Sequence, residues 1–254
     1  MAGSLRFVLS LAAVGGEISG AVARVVWNRC TRSGRLRHHL QRLREAGRVE
    51  VHGEGPIDQR IVRLTEEGRR WAQGGVDPLA LWARRWDHRW RIVAFDVPET
   101  DTAVRTRLRR RLHEFRFGWL QNSVWLSPDP IGAFRAQLGE KNTIPESLTF
   151  LEAVPIGGES SEAMVRSAWD FTGLAKCHAA YAEILRLRPG RSRGAKAWSE
   201  WLATEQRAWR QIVRKDPFLP EELLPSGYRG IELWAARKEA LADCAEVLLA
   251  DGVR

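Results

Sequence analysis

Between Trp86 and Glu99 the chain reads Trp-Asp-His-Arg-Trp-Arg-Ile-Val-Ala-Phe-Asp-Val-Pro-Glu, and this stretch constrains the fold more than any other. Arg91 to Val97 mixes β-branched and aromatic residues without a break, the pattern of a strand covered on at least part of both faces. Pro98 has no N–H to give a ladder and ends the strand. An acidic, Thr-rich start follows, then Val104, Leu108, Leu112 and Phe115 at helical spacing, with Gly118 as the stop. Phe117 to Pro128 reads as two short strands around the polar Gln121 to Ser123. Ile131, Phe134 and Leu138 share one face of a second helix, and Leu148 to Val154 forms a last strand. The order βαββαβ is the ferredoxin-like plan.

Upstream, Leu5 to Val14 reads as a short apolar helix ended by Gly15 and Gly16, and Ile18 to Trp27 as a second helix. Only Arg6 supplies charge before the first apolar run, and Glu17 separates it from Ala21-Val22-Ala23, so the run is expected to be part of the domain rather than a cleaved leader. Cys30 to Arg32 supplies a turn. The helix from Ser33 to Ala46 then places Leu36, Leu40 and Leu43 on one face, with Gly47 as its cap. Val49 to Val51 and Arg60 to Leu64 read as two strands joined by Gly53-Glu54-Gly55-Pro56, Thr65 starts a further helix, and Gly74 to Pro78 has linker composition. Three helices followed by a hairpin spell a winged helix-turn-helix.

Charge gives that reading a partner. The 254-residue chain carries a formal net charge of +9, mostly from arginine, which implies an anionic partner. From Arg24 to Arg48 there are eight arginines and one acid, Glu45. The helix that a helix-turn-helix lays in the major groove bears Ser33, Arg35, Arg37, His38, Gln41 and Arg42 away from its leucines, side chains able to reach phosphates or base edges. Arg48, His52 and Arg60 on the wing, with Arg24 and Arg29, are expected to touch the backbone of double-stranded DNA. His38 and His39 are adjacent and diverge on a helix, so they cannot share a metal; His39 flanks the packing face.

Beyond the middle domain, Gly157 to Ser161 reads as a joint, Ala163 to Arg188 as one helix, Ala195 to Arg214 as another and Ile231 to Leu249 as the last, with a Pro-rich segment from Asp216 to Pro225. The division expected is therefore 1–75, a winged helix-turn-helix; 76–156, a ferredoxin-like dimerisation domain; and 157–254, a helical C-terminal domain: an α+β chain of three parts. Cys30, Cys177 and Cys244 are odd in number and far apart, and no run reaches the length of a membrane span, so a reducing cytoplasm is the expected setting, without membrane attachment. No phosphate loop, dinucleotide fingerprint, nucleophile elbow or zinc-protease motif is present, and neither enzymatic activity nor a cofactor is expected.

Three stretches, Trp86 to Glu99, Gly118 to Pro128 and Asp216-Pro-Phe-Leu-Pro-Glu-Glu-Leu-Leu-Pro225, occur in the order seen in the PaaX family, and over roughly residues 20 to 250 the chain resembles those bacterial repressors of phenylacetic-acid breakdown. The resemblance implies a winged helix-turn-helix, a middle domain similar to the small CRISPR-adaptation nucleases and a helical C-terminal part. It further implies a homodimeric repressor on operator DNA that is released by an aryl acyl-CoA such as phenylacetyl-CoA. Trp198, Trp201 and Trp209, with Arg207 and Arg210, are the candidates to receive such an effector, although aromatic stripes at helical spacing are more often core. In the CRISPR nucleases an acid at the position of Asp96 is proposed to hold a divalent metal at a dimer interface. Asp96 therefore carries the alternative, a metal-dependent nuclease, with Asp87 and Glu99 as the acids near it in sequence. The chain departs from the family at Ile57-Asp58-Gln59 in the wing, at Gly34 and His38-His39 in the reading helix, and at Tyr228, where a Trp is common.

Overall fold

The computed structural model describes residues 17–19, 23–24, 27–28, 35–140, 148–156 and 160–250. The expected helix Leu5 to Val14, the turn Cys30 to Arg32, the joint at residues 157 to 159, and the side chains of Arg29 and Ser33 lie outside the described residues. Contacts divide the chain into two compact units. Unit 1 joins the described part of Met1–Asp77 to Lys176–Arg214 and the described part of Arg229–Arg254, and unit 2 joins Pro78–Ala175 to Lys215–Tyr228. The expected border at 75/76 lies two residues from the first boundary, whereas the border at 156/157 has no counterpart.

In unit 1, strands β1 (Glu17–Ser19), β2 (Val49–His52) and β3 (Ile61–Leu64) form an antiparallel sheet in the order β1-β3-β2. Val51 faces Val62 across the hairpin, and Ile18 faces the same Val62 from the other side. The helix expected over Ile18 to Trp27 is thus corrected at its start: Ile18 belongs to a ladder, and the described helical residues are Ala23, Arg24, Trp27 and Asn28. Helix α1 covers Leu36–Glu45 with Leu36, Leu40 and Leu43 buried, shorter than the expected span because Arg35 already has non-helical dihedrals. Gly47 takes φ +64° just past its end. Helix α2 (Glu66–Ala72) starts as expected: Thr65 Oγ1 accepts from Gly68 N at 3.0 Å and donates to Gly47 O at 2.6 Å.

In unit 2, Pro78–Ala83 forms a short helix, α3, which begins at the last residue of the stretch with linker composition. Strands β4 (Trp90–Phe95), β5 (Gly118–Gln121), β6 (Val124–Ser127) and β7 (Leu148–Ala153) pair antiparallel in the order β5-β6-β4-β7. Helices α4 (Thr102–Glu114) and α5 (Gly132–Glu140) complete the βαββαβ plan. Alternation along β4 feeds two cores, as a doubly covered strand requires. Val93 and Phe95 join Leu108, Leu112, Trp125 and Phe134 on the side of α4 and α5. Trp90 joins Leu126, Val165, Leu219 and Leu223 on the other.

That second core explains the missing border. Asp216 to Pro225 runs over the sheet face of unit 2 instead of linking helices. Asp216 is 1% exposed and accepts from Phe218 N at 2.8 Å and from Tyr228 Oη at 2.6 Å. Tyr228 in turn accepts from Trp82 Nε1 at 3.1 Å, so its phenol bridges two partners.

The helix expected from Ala163 to Arg188 is two helices, α6 (Ser161–Ala168) and α7 (Phe171–Arg186). The break is local chemistry: Trp169 is extended at φ −126°, ψ 141°, and donates its Nε1–H to Arg116 O at 3.2 Å, while Asp170 caps α7 by accepting from Gly173 N at 2.7 Å. The boundary between the units falls inside α7. Helices α8 (Gly194–Lys215) and α9 (Gly230–Ala250) follow. Among the described residues no helix is long and apolar enough to cross a membrane.

Candidate nucleic-acid interface

Helix α1 buries its leucine stripe and turns Arg37, His38, Gln41, Arg42, Arg44 and Glu45 to solvent. The 100° step between residues places His38, Gln41 and Arg42 in the middle of the open face, with Arg37 and Arg44 at one flank. Arg44 sits at the helix end beside Arg42 and was not singled out from the sequence, although its helical phase relative to the leucines carried the signal. Gln41 donates to Glu45 at 2.9 Å, which holds the one acid of the helix against a polar neighbour. His39 is half-buried against Trp27, ring centroids 4.5 Å apart. Burial first, then the charges of His38, Arg42 and Arg35, hold its imidazole below the usual range, so it packs as a neutral ring.

Several residues expected to touch the DNA backbone have internal partners. Arg24 Nε lies 2.7 Å from Asp58 Oδ1, an ion pair in which both side chains are about half exposed. Asp58 belongs to the short turn Ile57–Gln59 between β2 and β3. Arg48 stacks its guanidinium 4.1 Å above the Trp71 ring, and Arg60 donates to Gly55 O at 2.9 Å, closing the turn of the hairpin. His52 is exposed, 3.1 Å from Glu50 Oε2. Arg35 is exposed at the N-cap of α1. On α1, Arg37, Arg42 and Arg44 therefore remain exposed, whereas Arg24, Arg48 and Arg60 are engaged by Asp58, the Trp71 ring and Gly55 O.

In unit 2, Asp96 follows β4 and is exposed. Asp87 lies before the other end of that strand, where the Arg91 guanidinium hydrogen-bonds it at 2.5 and 2.6 Å and holds its carboxyl below the usual range. Arg91 also approaches Glu152 at 3.4 Å, and Glu99 lies 3.9 Å from Arg105. The six-residue strand separates Asp96 from Asp87 by about 20 Å, too far to share an ion. Among the described residues no group of three His, Cys, Asp or Glu side chains could hold a metal.

The candidate effector residues divide by face. Trp198, Trp201 and Trp209 are buried. Trp201 donates to Ile184 O at 2.9 Å, Trp209 donates to Gln73 O at 2.8 Å, and Trp198 and Trp201 meet edge to face at 5.4 Å. Their rings are taken up by packing within unit 1. Arg207 and Arg210 lie on the exposed side of α8. The core beneath holds a charged network that sequence reading did not find: Glu205, fully buried, accepts from Tyr181 Oη at 2.5 Å and from Arg237 Nε at 2.8 Å. Arg237 stacks over Trp209 and Trp234 at 4.8 and 5.4 Å. Burial and the neighbouring Glu205 carboxylate raise the Tyr181 hydroxyl well above its ordinary range. In unit 2, His113, Trp119, Arg166, Trp169 and Phe171 line a cleft of about 560 Å³.

Residues 83–165 match the PaaX protein central Cas2-like domain, which bears out the resemblance read from the stretches Trp86 to Glu99 and Gly118 to Pro128 and agrees with the observed βαββαβ sheet. The solved structure of the uncharacterized protein Rv0674 from Mycobacterium tuberculosis is similar, with a TM-score of 0.64 over 100% of this chain and 99% of that one, at 21% sequence identity; the likeness is one of fold. No curated protein matches the sequence.

Proposed function

We propose, from the membership of this chain in the PaaX family through its central Cas2-like domain, that it is a transcriptional regulator, a repressor that binds double-stranded operator DNA as a homodimer and leaves it when a small effector binds. The observation that carries the reading is α1: a leucine stripe packed on one side, and on the other an open face of Arg37, His38, Gln41, Arg42 and Arg44. A hairpin follows it directly, the order of a winged helix-turn-helix. In this reading α1 enters the major groove, Arg42 and Gln41 reach base edges, and Arg37 and Arg44 meet phosphates. A two-fold dimer would read a palindromic site. The protein acts without cofactor and without chemistry of its own.

The family points to an aryl acyl-CoA as the effector. Trp198, Trp201 and Trp209 are packed, whereas the cleft lined by Trp119, Trp169 and Phe171 with Arg166 supports an effector contact in unit 2. Release requires that the ligand bind the DNA-free state more tightly.

The test is gel-shift binding to the DNA upstream of its own gene, against a scrambled competitor, at two salt concentrations, with and without phenylacetyl-CoA. Specific binding that weakens with salt and is released by the thioester is expected. Absence of specific binding defeats the reading and passes the question to the second one, a nuclease acting through Asp96. That reading requires cleavage dependent on magnesium or manganese and lost in Asp96→Ala.

A further inference from the structure

Unit 2 carries a second strongly basic surface that the winged-helix reading does not use. Helix α4 contains Arg105, Arg107, Arg109, Arg110 and Arg111 against a single acid, Glu114. Its apolar side is fully engaged, because Leu108 and Leu112 are buried and Val104 and Phe115 pack against the same core. The arginines are therefore displayed outward by the packing. At 100° per residue Arg110 falls near the middle of the solvent face and Arg107 and Arg109 on its two flanks.

The ion pairs within reach of the helix leave this face positive. Glu114 is shared between Arg111 at 2.7 Å and Arg110 at 3.8 Å, and Arg105 lies 3.9 Å from Glu99. Arg107 and Arg109 are exposed and form no ion pair among the described residues. Arg107 and Arg110 stand about 4.5 Å apart along the axis, a spacing over which neighbouring guanidiniums repel unless an anion lies across them. A row of phosphates supplies such charge at intervals that long, mobile side chains can follow.

We infer that the solvent face of α4 is a second contact for double-stranded DNA, in which Arg107, Arg109 and Arg110 neutralise backbone phosphates and read no bases. The inference rests on the proposed DNA-binding function and adds to it a surface on the central unit. Guanidiniums on a convex helix whose single acid, Glu114, is already shared between Arg110 and Arg111 fit phosphate contact, which positions a duplex without specifying sequence.

The experiment compares the full-length wild type with R107Q/R109Q/R110Q in fluorescence-anisotropy titrations of a labelled duplex from the upstream region and of a scrambled duplex, over a range of salt. Each phosphate contact contributes about 0.9 to the slope of log affinity against log salt, so the triple variant is expected to lose about 2 to 3 units of slope and to bind both duplexes at least about tenfold more weakly at low salt. The ratio between the two duplexes should stay the same. R107K/R109K/R110K, which keeps the charge, should keep the slope, and circular dichroism of each variant reports the fold. Wild-type affinity and slope in the folded Gln variant would overturn the inference while leaving the winged helix intact. A Lys variant as weak as the Gln variant would overturn the charge account. Absence of wild-type binding to either duplex would overturn this inference and the proposed function together.

Discussion

Replacement of Leu219 by Ala tests whether the Pro-rich segment is part of the sheet domain or a link in a helical one. Leu219 is 1% exposed and belongs to the same core as Trp90, Leu126 and Val165, each fully buried. An indole and branched side chains held on strands β4 and β6 and helix α6 cannot close easily over the space that the missing atoms leave. The cost is therefore about 4 kcal/mol, toward the upper end of the buried Leu→Ala range. If the segment is integral to unit 2, that energy is lost from the opening of β4 and β6, and exchange through that opening accelerates about a thousandfold. Hydrogen exchange followed by mass spectrometry on peptides covering Trp90–Phe95 and Val124–Ser127 reads this directly. Peptides from α8 and α9 should keep wild-type protection. Faster exchange in α8 and α9 with unchanged strands would refute the reasoning and return residues 216–225 to a C-terminal helical domain.

Other expectations concern the basic helix, the buried charges and the histidines. Arg42→Ala should lower the salt slope of DNA binding by about 1, whereas Arg24→Ala should leave it unchanged and cost less than about 1 kcal/mol of stability, because Arg24 already pairs with Asp58 in an exposed setting. Glu205→Gln should destabilise by about 3 to 5 kcal/mol in denaturant melts by leaving Arg237 buried without its counter-charge, while E205L/R237M should recover much of the loss. Gly68→Ala should cost about 2 kcal/mol or more, since an added Cβ would lie 2.0 Å from Arg48 O and 2.6 Å from Leu64 Cδ1. His39 and His113 both have imidazoles held below the ordinary range, chiefly by burial, so unfolding takes up protons at low pH. Their contribution to stability is full above the unfolded value of about 6.5 and falls as pH drops from there through the folded values; H113Q melts across that window should flatten the dependence.

Much of unit 2 was legible in the chain. Arg91 to Val97 reads as a strand covered on both faces, and its alternate residues do feed two cores. Val104, Leu108 and Leu112 mark α4 by spacing alone, and Thr65 marks the start of α2 by its capping chemistry. The misread places share a cause. Ile18 sits beside residues with helical spacing, yet its partner in β3 is more than forty residues away. The run Ala163 to Arg188 has helical composition throughout, and its break depends on Arg116 O and the Asp170 carboxylate each accepting a bond at one bend. At the candidate interface the charges of α1 were readable from its sequence, whereas the engagement of Arg24, Arg48 and Arg60 required partners from other segments.

Periodicity, caps and charge are properties of neighbouring residues, so the sequence alone specified the strand and helix order of the central unit, the apolar and basic faces of α1, and the positive surface of α4. The choice of what each face packs against is a property of distant residues. Burial of Asp216 to Pro225 against β4, the union of α8 and α9 with the N-terminal segment, and the enclosure of Glu205 with Arg237 and Tyr181 all arise there. Apolar surface leaves water wherever a complementary surface is found, without a directional rule that a linear pattern could carry.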